Sequence, residues 1–469
     1  MQKWWSYLEK PYLCGRTNKT IIIMKTKRSL LLVILLSIML IHSFGQGNEP
    51  GGGNTITIDG LKYILNEDSH TAMVANGNTW EGELVIPEQV IYDGEKYTVS
   101  MIEWLAFNSC ATLTKVRIPK TIVEIRHYAG YDDCKNPFTS CTSLERIEVD
   151  EENPSMCSVD GVLFSRDTTQ LFCYPAGAKA TAYTVPYGVT WIGGYALHDN
   201  NYLKAVTIPN SVTRMCFGMF SGCRNLESVS LSENLTYLPA YLFTNCTSLK
   251  SIEIPSGVTV MGEQVFLGCT SLTSVTLPEG VNSAGSLTFK DCTSLQSVSL
   301  PHTLGEICHG MFGGCSSLKD IKISSGTTRV YMSAFQGCTS LRVLDLPPTI
   351  TWLDPVSFKD CNMEALVIRG TLTHWYENIF DGMSTSTVIY TPSSQVSKMR
   401  NIYSGTVRAL SYYNPEDYIQ NSIHDLPAPQ VANDNYNNGI FDLSGRRLST
   451  PPAKGVYIEK GRKRLTIEH

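Results

Sequence analysis

Charge is scarce in this chain of 469 residues: only 17% are Asp, Glu, Lys or Arg. The balance is -5 at pH 7 with a pI near 6.0, so no global basic field of the kind that holds nucleic acid is present. Long apolar runs are missing too. Only Leu30–Ile41 is apolar enough to consider for a membrane. It is too short for the roughly 20 residues that cross a bilayer, so no transmembrane span is expected in the mature chain. Familiar catalytic signatures are absent: no G-x-S-x-G, no H-E-x-x-H and no G-x-x-x-x-G-K-[ST] occurs. Cys308-His309 is a single pair without a second ligand at zinc spacing, and the nine His are scattered. No catalytic residue, metal or cofactor is therefore expected. Apolar residues, by contrast, make up 42%, enough for a packed interior and too many for wholesale disorder.

The N-terminus has the order of an export signal. Lys25, Lys27 and Arg28 follow Met24, then comes Leu30–Ile41, then the polar His42-Ser43-Phe44-Gly45-Gln46. Positive, apolar, then small and polar is the arrangement of a secretory signal peptide. Residues 24–46 are assigned to it. Residues 1–23 stand upstream, where a signal has no predecessor, and read as a start called too early. Residues 1–46 are left out of the fold.

The middle of the chain repeats itself every 23 residues. Cys223, Cys246, Cys269, Cys292, Cys315, Cys338 and Cys361 are evenly spaced, and so are Phe220, Phe243, Phe266, Phe289, Phe312, Phe335 and Phe358. A strand-like L-x-x-V-x-I segment follows each Cys, as in Leu249-Lys250-Ser251-Ile252-Glu253-Ile254, and Pro255 closes it. The alternating apolar residues suit a half-buried strand, and Pro, having no N–H, ends it. A second apolar set comes next, such as Val258 and Met261, then the Phe and the Cys. A single coil cannot bury this face, but stacked coils can, with strands about 4.8 Å apart. Eleven copies between Leu113 and Ile368 predict a rod roughly 50 Å long. The fold class is mainly β: a solenoid of 23-residue coils.

These residues resemble the BspA-like leucine-rich repeats of bacterial surface proteins, whose unit is C-x-x-L-x-x-V-x-I-P followed by V-x-x-I-G-x-x-A-F-x-x-C. Cys246 to Cys269 and Cys315 to Cys338 match it closely. Asp160-Gly161-Val162-Leu163-Phe164-Ser165, ending at Tyr174-Pro175-Ala176-Gly177, is similar to a hairpin of that family, and Asp-Gly is a favoured turn. The resemblance implies a non-catalytic surface or secreted protein with an adhesive role.

The flanks complete the plan. Residues 54–100 alternate apolar and polar around Asp59-Gly60 and Asp93-Gly94 and read as a β cap on a solenoid of 101–362. Residues 363–412 leave the register and read as the closing cap, and 413–435, polar with three Pro, as a linker. Residues 436–469 read as a short β segment. Ile440-Phe441-Asp442-Leu443-Ser444-Gly445-Arg446 and Gly455-Val456-Tyr457-Ile458 are similar to the type IX secretion sorting domains of Bacteroidota. The segment departs from them in being short and in ending Ile467-Glu468-His469. The bland reading is a small hairpin with solvated charge.

Fifteen Cys in an exported chain suggest disulfides. Nine of them, Cys110, Cys141 and the seven above, occupy one repeat column, and Asn200 takes the same slot in another coil. A paired column would not accept Asn, so buried thiols donating weakly to loop carbonyls are expected. Of the outward positions, Arg117, Glu148, Thr207, Ser230, Glu253, Thr276, Ser299, Lys322 and Asp345 form a column of mixed sign. A second column runs Trp191, Arg214, Tyr237, Val260, Ser283, Glu306, Arg329, Trp352. Exposed aromatics and Arg are favoured binding anchors, so Trp191, Arg214, Tyr237 and Trp352 are the candidate partner-binding residues. The competing reading is that they pack on their own coils. The expected partner is a protein, of host matrix or bacterial surface. The alternative is a carbohydrate, for which stacked aromatics would be the requirement.

Overall fold

The computed structural model describes residues 55–126 and 135–418, together with the backbone of four short strands between residues 440 and 466. The expected export signal, the stretch before it and most of the expected linker lie outside the described residues.

The chain starts with hairpins. Thr55–Ile58 pairs antiparallel with Leu61–Asn66, and Gln89–Tyr92 with Glu95–Glu103. Both turns are Asp-Gly with left-handed backbone at each residue: Asp59 (φ 50°) and Gly60 (85°), Asp93 (51°) and Gly94 (82°). This is the twist a two-residue hairpin needs, and Gly adopts it without a Cβ clash. Parallel stacking begins early. Gly82–Val85 lies beside Leu113–Ile118, and Glu95–Glu103 beside Glu124–Arg126. The hairpin at Asp160-Gly161 joins Met156–Val159 to Val162–Ser165.

From there each coil stacks on the last in the sequence register. Val206 lies opposite Val229, and Val275 opposite Val298. This first ladder is built from the L-x-x-V-x-I segments. The coil at 249–254 carries the motif but forms no strand bonds, so the ladder is interrupted there.

A second parallel ladder runs beside it, where the sequence indicated only an apolar pair. Its rungs are strands of two residues: Trp191–Ile192, Arg214–Met215, Tyr237–Leu238, Val260–Met261, Ser283–Ala284, Glu306–Ile307, Arg329–Val330, Trp352–Leu353 and His374–Trp375. The inward residue is buried in every rung but the last, where Trp375 is partly buried, and the outward one forms the second column. The ladder parts after Arg214–Met215 and again after Ser283–Ala284. Pro239 accounts for the first gap. At the matching position Cys216 donates to Ile192 and Gly262 to Leu238, but Pro has no N–H to give.

The loop between Phe and Cys explains a further regularity. Asn245 (φ 59°), Gly268 (71°), Asp291 (59°) and Gly314 (76°), each just before its Cys, are left-handed. Gly, Asn and Asp tolerate this conformation best, which is why those types recur there.

All seven Phe of the ladder are fully buried. Their rings stack with centroids 5.3–6.2 Å apart and planes 2–19° from parallel. Beside them the Cys thiols donate to the Phe carbonyl of the coil before: Cys246 to Phe220 (3.1 Å), Cys269 to Phe243 (3.1 Å), Cys315 to Phe289 (3.0 Å). All thirteen cysteines among the described residues are free. Asn200 does the same work with an amide. Its Nδ2 donates to the carbonyls of Pro175 and Ala178, and its Oδ1 accepts from the amides of Tyr202 and Leu203. Buried backbone groups are thereby satisfied inside a loop that has no regular structure of its own.

At the far end Val388–Thr391 and Thr406–Ala409 extend the first ladder, with the short helix Val396–Arg400 between them. Buried Gln395 both donates to and accepts from the backbone of Leu372, and Tyr403 Oη donates to the carbonyls of Ser384 and Thr387. A second unit begins at Ser411. Within it, Arg447–Leu448, Ile440–Phe441, Gly455–Glu459 and Arg462–Thr466 make a four-stranded antiparallel sheet in that order.

Candidate interaction surface

The outward column of the first ladder is polar and largely self-neutralised. Glu148 meets Lys115 (2.8 Å), Arg117 (3.1 Å) and Arg146 (3.3 Å). The hydrogen bond from Lys115, with the two guanidiniums nearby, holds its carboxyl below the usual range. Asp345 is bridged by Arg369. Between them lie small hydroxyls such as Thr207, Ser230, Thr276 and Ser299. This face offers few anchors.

The second ladder presents larger side chains, in two separate groups. Trp191 and Arg214 are direct register neighbours. Arg214 is exposed, whereas Trp191 is half-buried. Its ring meets Phe172 edge-on at 6.1 Å and packs on the N-terminal core. Tyr237 follows one coil later, across the gap at Pro239, and is 44% exposed. Trp352 is five coils further along, roughly 24 Å at the ladder spacing.

Trp352 belongs to a stack that the sequence did not reveal. The Arg329 guanidinium lies 4.1 Å from the Trp352 ring centre and 3.9 Å from that of Tyr331. Its Nη2 donates to both carboxylate oxygens of Asp354, at 3.0 and 2.8 Å. His374 stacks on Trp352 at 4.3 Å. Burial pushes the Asp354 carboxyl up, opposed by Arg329. Tyr331 and Asp354 lie outside the Phe and Cys columns, each two positions after the outward residue of its rung. Only knowledge of the second ladder would have brought them together.

Two further placements complete the surface. A shallow depression of about 280 Å³ opens near Ser283 and Glu306. His309 is half-buried, and burial lowers its pKa. Among the described residues no group of three or more His, Cys, Asp or Glu is placed to hold a metal ion, and no helix is long and apolar enough to cross a membrane.

Comparison with known proteins adds to this geometry. The BspA type leucine-rich-repeat region matches in 6 copies, over residues 95–165, 169–292 and 261–387. Among solved structures, a leucine-rich-repeat protein from Bacteroides ovatus is 24% identical, with 76% of this chain and 99% of that one covered and a TM-score of 0.45. A leucine-rich cell surface protein from Faecalibacterium prausnitzii is 20% identical over 54% of this chain and 95% of that one, with a TM-score of 0.35. A leucine-rich-repeat protein from T. pallidum is 28% identical over 38% and 86%, also at 0.35. No curated protein matches.

Proposed function

Because the chain belongs to the BspA-type leucine-rich-repeat family, we propose that it is an exported recognition protein, held at the cell surface or secreted, that adheres to a protein partner through its second-ladder face. The reading assigns no catalytic step. One observation carries it: the stacked coils set Trp191 and Arg214 in direct register and Tyr237 on the next coil, across the gap at Pro239, with Arg214 and Tyr237 exposed. Side chains fixed by a stacked scaffold lose little further entropy on binding, which favours them as anchors. Repeat arrays of this kind suit extended contacts with other proteins.

A carbohydrate ligand is the second reading, favoured by the aromatic content of the same column. It has less support, because sugar rings need an open aromatic face. Trp352 has Arg329 against its ring and His374 stacked on it, and Trp191 packs inward. The antiparallel sheet at 440–466 supports a sorting role for residues 436–469.

Substituting the exposed Arg214 and Tyr237 together with Ala is expected to leave the fold intact and to weaken binding to immobilised epithelial matrix protein about tenfold or more. Unchanged binding would dismiss the patch. A glycan array run in parallel separates the two ligand classes. Fractionating cells that express the chain with and without residues 436–469 checks the sorting role.

A further inference from the structure

The second ladder has a gap that proline does not explain. Along most of its length an amide donates to the carbonyl one coil back: Thr259 to Thr236 (3.0 Å), Asn282 to Thr259 (3.0 Å), Thr328 to Gly305 (2.8 Å). Between Asn282 and Gly305 that bond is missing. The Gly305 N–H has no backbone acceptor, and the Asn282 carbonyl receives no backbone amide. The depression of about 280 Å³ lies at this gap, with Asn282, Ser283, Ala284, Gly305, Glu306 and Thr328 in its lining. A Cβ built on Gly305 would meet nothing within 4 Å, so the space above it is open.

The half-buried carboxylate at the rim has no ion-pair partner among the described residues. Glu306 and Arg329 are register partners on adjacent rungs, the natural place for a cross-strand ion pair. Arg329 instead turns to Asp354 and stacks between Tyr331 and Trp352. Glu306 keeps one partner, the Tyr331 hydroxyl, which donates to Oε1 at 3.2 Å. Oε2 is left over. The Thr328 hydroxyl donates to the Gly305 carbonyl at 3.3 Å, so its oxygen still accepts. Carboxylate and hydroxyl side chains thus line one depression, and no cationic side chain is among its lining residues.

We propose that this depression is a subsite for a basic side chain, lysine or arginine, projected by a protein partner. The proposal rests on the recognition reading above and names the chemistry of one contact within it. The cationic head lies against Glu306 Oε2 with Ser283 and Thr328 as flanking acceptors. The occupant is a side chain of a protein partner rather than a free amine because the depression lies on the second-ladder face that the recognition reading gives to a protein.

The test is a titration of the full mature chain, followed through its backbone amide NMR signals, with the peptide acetyl-Gly-Lys-Gly-amide. The same peptide acetylated on the lysine amine, and n-butylammonium, are the comparison probes. The lysine peptide is expected to shift Ser283, Gly305, Glu306 and Thr328. Glu306→Gln, nearly isosteric, is expected to weaken this about fivefold or more while signals elsewhere stay in place. The acetylated peptide is expected to shift nothing. Equal shifts from the acetylated peptide, indifference to Glu306→Gln, or no shift at all would overturn the subsite. Equal binding of n-butylammonium would overturn the assignment to a protein. Failure here with intact matrix binding by the whole chain leaves the recognition reading standing, since that depends on Arg214 and Tyr237 instead.

Discussion

Removing one ring from the middle of the phenylalanine stack is the sharpest perturbation of this scaffold. Phe289 is fully buried, with Phe266 at 5.4 Å and Phe312 at 5.6 Å on either side. A core Phe→Ala change costs about 3–5 kcal/mol through lost transfer energy and the cavity left behind. Two stacked neighbours, each contributing about 0.5–1.5 kcal/mol beyond area, place Phe289→Ala at the upper end, about 4–5 kcal/mol. Coils in such an array contact only their neighbours, so the damage is local and uncouples the two halves. Urea unfolding followed by tryptophan emission reads both sides, because Trp191 lies before the lesion and Trp352 and Trp375 after it. The expected result is a large loss of stability, or two transitions where the parent shows one. Phe289→Leu keeps most of the volume and is expected to cost only about 1–2 kcal/mol. A Phe289→Ala loss below about 1 kcal/mol, with the transition still single, would refute the idea of one shared hydrophobic spine.

Asn200→Ala would leave the backbone groups of Pro175, Ala178, Tyr202 and Leu203 without their side-chain partner; at about 1–3 kcal/mol per unsatisfied buried group, a loss of about 3 kcal/mol or more is expected in urea unfolding. The thiols of Cys315 and Cys361 are pushed up to about 12 by burial, against about 8.5 in an unfolded chain. The folded state therefore holds these protons more tightly. Their contribution is complete below about pH 8.5 and is lost as pH rises toward 12, so the urea midpoint should fall steadily above pH 9. Reaction of the native chain with a thiol reagent at pH 8 should be slow and should become complete in denaturant; rapid labelling of the native column would contradict this.

Much of the solenoid was legible because its signals are local and repeat. The even spacing of Phe and Cys identified the inward columns, and Asn200 in a Cys slot pointed to a hydrogen-bonding role that its amide fulfils. Asp-Gly pairs marked hairpin turns at residues 59, 93 and 160. The second ladder was not legible as strand, because rungs of two residues are too short to show alternation. The candidate surface suffered most from this. Trp191, Arg214, Tyr237 and Trp352 share one column in the sequence, yet they differ in exposure and fall into two groups separated by coils that present Val260, Ser283 and Glu306.

By itself, the sequence determined the coil: its length, its buried face, its strand-ending prolines and the left-handed site before each Cys, filled mostly by Gly, Asn and Asp. These follow from side-chain size, alternation and backbone sterics within 23 residues. Only the tertiary structure decided what each outward side chain meets. Arg329 had Glu306 one coil before it and Asp354 one coil after, and stacked packing selected Asp354. That choice covers Trp352, leaves Glu306 without a counter-charge, and depends on atoms that become neighbours only when the coils are piled together.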